Sequence, residues 1–275
     1  MAVFCLITHG VNAEDLSKAN PDKSLVYKRI GDRELKMHIF LPEGHKASDK
    51  RAAVVFFFGG GWVGGTPSQF YPHCRYLASR GMVAMAADYR VKSKDKTTPK
   101  ECVMDGKSAV RWLRKNASQW GVDPDKVAAG GGSAGGHVAA ATGTVKGFEE
   151  KGEDLSVSSK PVALVLFNPV YDNGPKGYGH NRVKDYWKQI SPMHNLGEHS
   201  PPTIVFLGTK DNLIPVSTAK KYQQLMKKSG VRSDLHLYPG QPHGFFNLNK
   251  SRESFESTVA HMDKFFVSLG YLNKK

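Results

Sequence analysis

A chain of 275 residues can bury a large core, and its formal charge of +14 would attract anionic surfaces such as nucleic acid, acidic polysaccharide or lipid headgroups. Its basic residues are spread through presumptive surface helices such as 220–228, without zinc-finger spacing, an RRM-like motif or a long basic-aromatic tract, so no specific nucleic-acid binding is expected. Cys5, Cys74 and Cys102 lack the paired spacing of a disulfide framework or thiolate metal site, and no run approaches the ~20 apolar residues that would form a transmembrane anchor.

Residues 1–13 are mildly apolar and end in Val11-Asn12-Ala13, which resembles a signal-peptide cleavage site without the basic leader. They read as an export remnant or a plain extension, which leaves location open between cytoplasm and export. No linker or repeat divides the remainder of the chain, so the expected organisation is an extension over 1–24 and one domain over 25–275.

Residues 25–30 and 35–41 read as paired strands turned at Gly31-Asp32, and 52–58 as a continuous apolar strand covered on both faces. That strand empties into Gly59-Gly60-Gly61-Trp62, ahead of a helix expected over 68–80 and a strand over 82–87. A helix is expected over 99–116, with Pro99 suited to its first turn, then a strand over 127–130. Strands over 162–167, 203–207 and 234–238 and helices over 216–229 and 254–269 complete the pattern. Strands alternating with helices imply an α/β fold with a mostly parallel sheet, helices on both faces, and active loops at the carboxyl ends of the strands. Residues 169–202 are polar and irregular, and 170–200 would form a short cap or insertion.

The strand over 127–130 runs directly into Gly130-Gly131-Gly132-Ser133-Ala134-Gly135-Gly136 and then a helix-compatible stretch. Gly-x-Ser-x-Gly alone is a weak pattern, but between a strand and a helix it places a serine hydroxyl on a sharp elbow. Gly131 and Gly135 bracket Ser133 where side chains would crowd the turn. Ser133 is therefore a candidate nucleophile in need of a base and an acid. Asp211 follows the strand over 203–207, and His243 follows the strand over 234–238, giving the chain order Ser133, Asp211, His243 expected of this architecture. In that arrangement His243 takes the serine proton and Asp211 orients the imidazole. The backbone N–H of Ala134, together with the 59–61 glycine loop, is suited to receive a developing oxyanion. That loop lacks the Lys-Ser/Thr of a phosphate cradle.

Phe58-Gly59-Gly60-Gly61-Trp62, Asp88-Tyr89-Arg90, Gly131-Gly132-Ser133-Ala134-Gly135-Gly136, Gly208-Thr209-Lys210-Asp211-Asn212-Leu213 and Pro242-His243-Gly244-Phe245 together resemble the α/β-hydrolase superfamily, specifically its hormone-sensitive-lipase-like carboxylesterases. The resemblance spans 25 to the C-terminus and implies Ser133, Asp211 and His243 as the triad and Gly60, Gly61 and Ala134 as the oxyanion donors. The chain departs from the family in having Phe58 where His is usual and Gly132 where Asp usually precedes the nucleophile.

These residues imply acyl transfer to water through an acyl-enzyme, with no metal or other cofactor. The expected partner is a small ester; the resemblance favours esters over amides, the limited covering material favours acetyl-type acyl groups, and Tyr and Trp side chains near the mouth would stack on a carbohydrate or aromatic alcohol. Trp62, Phe245 and Phe246 are candidate pocket walls, with core packing as the alternative. Tyr171, Tyr178, Tyr186, Trp187 and Met193 are available to the cap. His180, His194 and His199 match no short metal-ligand spacing. A serine peptidase or acylaminoacyl hydrolase on the same fold, or a noncatalytic binding protein, are the alternatives. Oligomeric state is not indicated.

Overall fold

Leu35, Met37 and Ile39 are fully buried while Lys36 between them is exposed, the two-residue period of a strand with one covered face. In the computed structural model, which describes residues 16–274, this strand is β2 (Arg33–Phe40), antiparallel to β1 (Lys23–Ile30) across the turn at Gly31. The possible export remnant at 1–13 and Cys5 lie outside the described residues. The expected strands become β3 (Arg51–Phe57), β4 (Val83–Ala87), β5 (Val122–Gly132), β6 (Leu164–Phe167), β7 (Thr203–Gly208) and β8 (Ser233–Tyr238). They form one sheet in the order β1-β2-β4-β3-β5-β6-β7-β8. β2 also pairs antiparallel with β4, and every pairing from β4 through β8 is parallel. This is the α/β-hydrolase architecture expected from the sequence.

The period of the buried strands sorts their side chains into two apolar layers. Ala53, Val55 and Phe57 of β3 face a layer shared with α2 (Pro99–Lys115), α3 (Ala134–Thr144) and α4 (Val216–Lys228). Val54 and Phe56 face the opposite layer with α1 (Tyr71–Ser79) and α5 (Arg252–Ser268). Each fully buried aliphatic or aromatic side chain contributes roughly 2 kcal/mol, so both faces of the sheet must be covered. Helix α2 starts where expected: Thr98 and Glu101 form a capping box and Pro99 occupies the first turn.

The helix expected over 68–80 is divided into a 3-10 turn, Pro67–Phe70, and α1. Pro72 has no N–H to continue an α-helix from the preceding turn, so it begins a new one instead. The 169–202 segment forms single turns at His180–Val183 and Trp187–Ile190 and a 3-10 turn at Pro192–Asn195. It is pinned by Val183 and Ile190, which pack on Val103 and Ala141. Tyr171 and Met193 are buried rather than at an open mouth, Tyr171 stacking on Tyr222 at 4.3 Å between ring centroids. Cys74 and Cys102 are buried free thiols, and the Cys102 thiol lies 3.1 Å from the Arg90 carbonyl. No helix among the described residues is long and apolar enough to cross a membrane.

His73 is fully buried in α1 among the rings of Phe56, Phe70, Phe167, Phe246 and Phe255, and neither of its nitrogens has a hydrogen-bond partner. Burial pushes its pKa down to about 3, so the native imidazole is neutral. The unfolded chain therefore takes up a proton near pH 6.5 that the folded chain refuses. This contribution is fully present above pH 6.5 and is lost as the pH falls toward 3. Urea midpoints should accordingly drop between pH 7 and pH 4.5 by the equivalent of about 2 kcal/mol, and His73→Leu should flatten the drop. An unchanged pH slope in that variant would remove His73 from the account.

Candidate active site

The elbow is built at the carboxyl end of the central strand. Chain leaving β5 turns through Ser133, at φ +54° and ψ −119°, directly into α3. This strained conformation is held by three backbone hydrogen bonds: the Ser133 N–H donates to the Phe167 carbonyl at 2.9 Å, and its own carbonyl accepts from His137 at 3.0 Å and Val170 at 3.1 Å. Any Cβ on Gly135 would strike the carbonyls of Phe57 and Phe58, so close approach to β3 requires glycine there. A Cβ on Gly132 would lie 2.5 Å from Cζ of Phe246. Phe246 thus occupies the space that the usual acidic side chain before the nucleophile would need.

Asp211 and His243 reach the same point from the ends of β7 and β8. The fully buried Asp211 carboxylate accepts the N–H groups of Leu213 at 2.8 Å and Ile214 at 2.9 Å on Oδ1. Its Oδ2 lies 2.7 Å from His243 Nδ1. His243 Nε2 lies 2.9 Å from Ser133 Oγ. An acceptor at Nδ1 keeps the imidazole proton there and leaves the Nε2 lone pair facing the serine hydroxyl. The arrangement can accept a proton from Ser133 as Oγ attacks.

The glycine loop packs against the elbow: a Cβ on Gly59 would sit 3.3 Å from the Ser133 Cβ. Gly60 and Gly61 have φ of +130° and +61°, and the Gly60 carbonyl accepts from Val63 at 3.0 Å, closing the loop on itself. Phe58, where the family usually has His, stacks on Tyr89 at 4.1 Å, and the Tyr89 hydroxyl donates to the Phe58 carbonyl at 2.6 Å. The loop is therefore supported by an aromatic stack and one hydrogen bond from the Asp88-Tyr89-Arg90 segment. Tyr178 and Arg182 of the 169–202 segment close over the outer side, where the Arg182 guanidinium donates to the Gly61 carbonyl and lies over Trp62.

Trp62, Phe245 and Phe246 are each 1% exposed. Phe245 packs on Tyr238 and Phe246 between Phe70 and Phe167, so both are sealed in the α1/α5 layer, and Trp62 lies edge-on to His137. A cleft of about 580 Å³ lies beside Gly59, lined among others by Ser17, Thr66, Gln69, Pro72, Leu248 and Lys250. His180 and His194 flank the Trp187 ring and bond to the Asn173 carbonyl and the Ser191 hydroxyl, while His199 is exposed beside Glu198.

Sequence reading missed three side-chain amides around this site. Gln69 Oε1 accepts the Gly59 N–H at 2.6 Å, and Gln69 Nε2 donates to Asn247 Oδ1 at 3.0 Å. Asn168, the residue immediately after β6, accepts the Gly244 N–H at 2.9 Å and points Nδ2 toward His243 Nε2 at 3.4 Å. Only Asn168 carried a signal, a polar Asn-Pro pair ending an apolar strand on the edge that carries the other loops; Gln69 and Asn247 carried none.

Residues 54–247 match the family model described as the alpha/beta hydrolase fold. The chain belongs to that family. This α/β hydrolase superposes on Thermogutta terrifontis esterase 2 phosphorylated by paraoxon with a TM-score of 0.88, at 44% identity, covering 92% of this chain and 96% of that one. The same esterase with butyrate bound gives a TM-score of 0.89 at 42% identity, covering 95% of this chain and 98% of that one. Among curated proteins, this hydrolase is 26% identical over 245 residues to the acetylxylan esterase of Xylanibacter ruminicola, covering 83% of this chain and 47% of that protein. The chain spans about half the length of the curated relatives it matches.

Proposed function

We propose that this α/β hydrolase is a serine carboxylesterase of the hormone-sensitive-lipase-like group, acting on short acyl esters. The reading is carried by the line from Asp211 through His243 to Ser133, with separations of 2.7 and 2.9 Å. In it, Ser133 Oγ attacks the acyl carbon and its proton passes to His243 Nε2. The oxyanion is received by the N–H groups of Gly60, Gly61 and Ala134. Collapse breaks the bond to the alcohol oxygen, which leaves with the proton from His243. Water then attacks the acyl-enzyme, giving one proton to His243 and the hydroxyl to the acyl carbon; the proton returns to Ser133 as the acid departs.

Two things favour a short acyl group and a hydroxylated alcohol. The similar proteins include one named as an acetylxylan esterase and an esterase with butyrate bound. The cleft beside Gly59 sets the hydroxyl and amide groups of Ser17, Thr66, Ser68 and Asn249 alongside Pro72 and Leu248, a mixed lining with hydrogen-bonding groups for a hydroxylated alcohol. Residues 170–200 act in this reading as a small cap within one domain over 25–275. An ester panel that varies acyl length and alcohol separately tests it. Turnover should fall steeply beyond about four acyl carbons and acetylated sugars should be accepted, because each misplaced methylene costs roughly 1 to 3 kcal/mol. Efficient long-chain turnover overturns the short-acyl assignment, and a preference for peptide amides overturns the esterase assignment.

A further inference from the structure

We propose that Asn168 is a positioning residue for His243, holding the imidazole in register with Ser133 and disfavouring its protonated form. The inference deepens the esterase reading and rests on it.

Asn168 is fully buried and follows β6 with φ +34°, in the left-handed region that asparagine tolerates better than most residues. Its backbone N–H extends the ladder by donating to the Phe206 carbonyl at 2.7 Å, so the side chain leaves from a rigid strand end. The two ends of its amide are distinguishable without ambiguity. Oδ1 must face Gly244, whose N–H can only donate, at 2.9 Å. Nδ2 is thereby turned toward His243 Nε2, 3.4 Å away.

That nitrogen is the one whose lone pair faces Ser133. Before attack, the amide N–H group and the serine hydroxyl both point toward the same acceptor, with the serine closer at 2.9 Å. Once the imidazole has taken the proton, Nε2 carries its own N–H, and the Asn168 N–H then faces another donor. A fixed donor beside a protonated nitrogen raises the energy of that state and pushes the proton onward to the alcohol oxygen. The charged group bonded to His243 is Asp211, on the opposite ring nitrogen. Lys210 on the same loop is tied to the histidine loop through its backbone, donating to the Gln241 carbonyl at 3.0 Å, with its side chain exposed. Of the elements that meet at His243, the elbow and the β6 end therefore present only the neutral Ser133 and Asn168.

Asn168 also terminates a head-to-tail run of amides. The Gly59 N–H donates to Gln69, Gln69 to Asn247, Asn247 to the Gly244 carbonyl at 2.7 Å, and the Gly244 N–H to Asn168. Gly244 joins the two halves through its backbone, its carbonyl accepting from Asn247 and its N–H donating to Asn168 on the neighbouring peptide group. The two loops that must act on one substrate carbon are thus held by one network.

The test is the pH dependence of kcat/KM for a short aryl ester, measured on the full chain for wild type, Asn168→Ala and Asn168→Asp, with thermal midpoints recorded for each. Asn168→Ala should lower kcat at least tenfold with a smaller change in KM and move the acid limb to higher pH. Asn168→Asp, nearly isosteric, should move that limb further in the same direction, because a carboxylate beside Nε2 favours the protonated imidazole. Lower activity with an unmoved acid limb in a folded variant overturns the proposal and leaves Asn168 a purely structural residue. Failure of the esterase reading itself looks different: wild type would then show no hydrolysis that Ser133→Ala abolishes.

Discussion

Ser133→Ala should lower kcat for a short aryl ester by about 10⁴- to 10⁶-fold while leaving KM within a few-fold, the range seen when a nucleophile of this type is removed. The substitution deletes one oxygen and little else. Both residues carry a Cβ, so the strained backbone at φ +54° is no worse for alanine, and the three backbone hydrogen bonds at the elbow are untouched. The glycine loop and Ala134 remain, so any residual rate reports what the oxyanion site achieves without a nucleophile. His243→Ala should fall by a similar factor, and the double variant should fall scarcely further, because serine and histidine perform one proton transfer between them. Treatment with paraoxon followed by intact-mass measurement should add one diethyl phosphate to wild type and none to Ser133→Ala. If the alanine variant keeps a tenth of wild-type turnover, or is labelled equally, Ser133 is not the nucleophile.

Asp105→Ala should destabilise the fold by about 3 to 5 kcal/mol, the usual cost of stripping one partner from a buried ion pair. The Asp105 carboxylate is fully buried in α2 and accepts from Lys28 Nζ at 2.7 Å and from the Arg90 side chain twice, at 2.8 Å each. It also accepts the Arg90 backbone N–H at 2.9 Å. Removing it leaves Lys28 and Arg90, whose side chains are only 7% and 10% exposed, with Glu150 as the one carboxylate they share among the described residues and the Ser108 hydroxyl as a neutral acceptor for Lys28. The thermal midpoint should fall by roughly 10 °C at this chain length. Activity should suffer too, because Arg90 adjoins Tyr89, whose hydroxyl holds the glycine loop at Phe58. Replacing Lys28, Asp105 and Arg90 together with apolar residues of similar volume should cost less than Asp105→Ala alone, because no charge is then left without a partner. A single variant within about 1 kcal/mol of wild type would show that water reaches the cluster and that burial is not what makes it matter.

The catalytic candidates were legible because the chemistry sits where the sheet ends. Ser133 and Asp211 each follow an apolar run and His243 follows the mixed strand Ser233–Tyr238, and a polar residue after a strand of a parallel sheet lies on the same edge whichever strand it follows. The aromatic pocket walls were less legible. Trp62, Phe245 and Phe246 border the glycine and histidine loops in sequence, yet the fold turns all three into packed layers. Chain proximity to a loop says nothing about which side of the backbone a ring takes, and burial rewards the dry side. The departure at Gly132 also acquires its reason only in three dimensions, where Phe246, far along the chain, fills the space beside it.

Local residue order therefore determined the strands, the elbow and the order of the three candidate catalytic side chains, since these depend on period-two burial and on turns a few residues long. The tertiary structure alone decided the amide run from Gly59 through Gln69, Asn247 and Asn168 to His243, and the buried cluster around Asp105. Gln69 and Asn247 stand 178 positions apart, and Lys28 and Asp105 are 77 apart. Polar contacts over such separations leave no periodic trace in the chain, because each depends on one side-chain geometry that exists only once the sheet and its helices have closed around it.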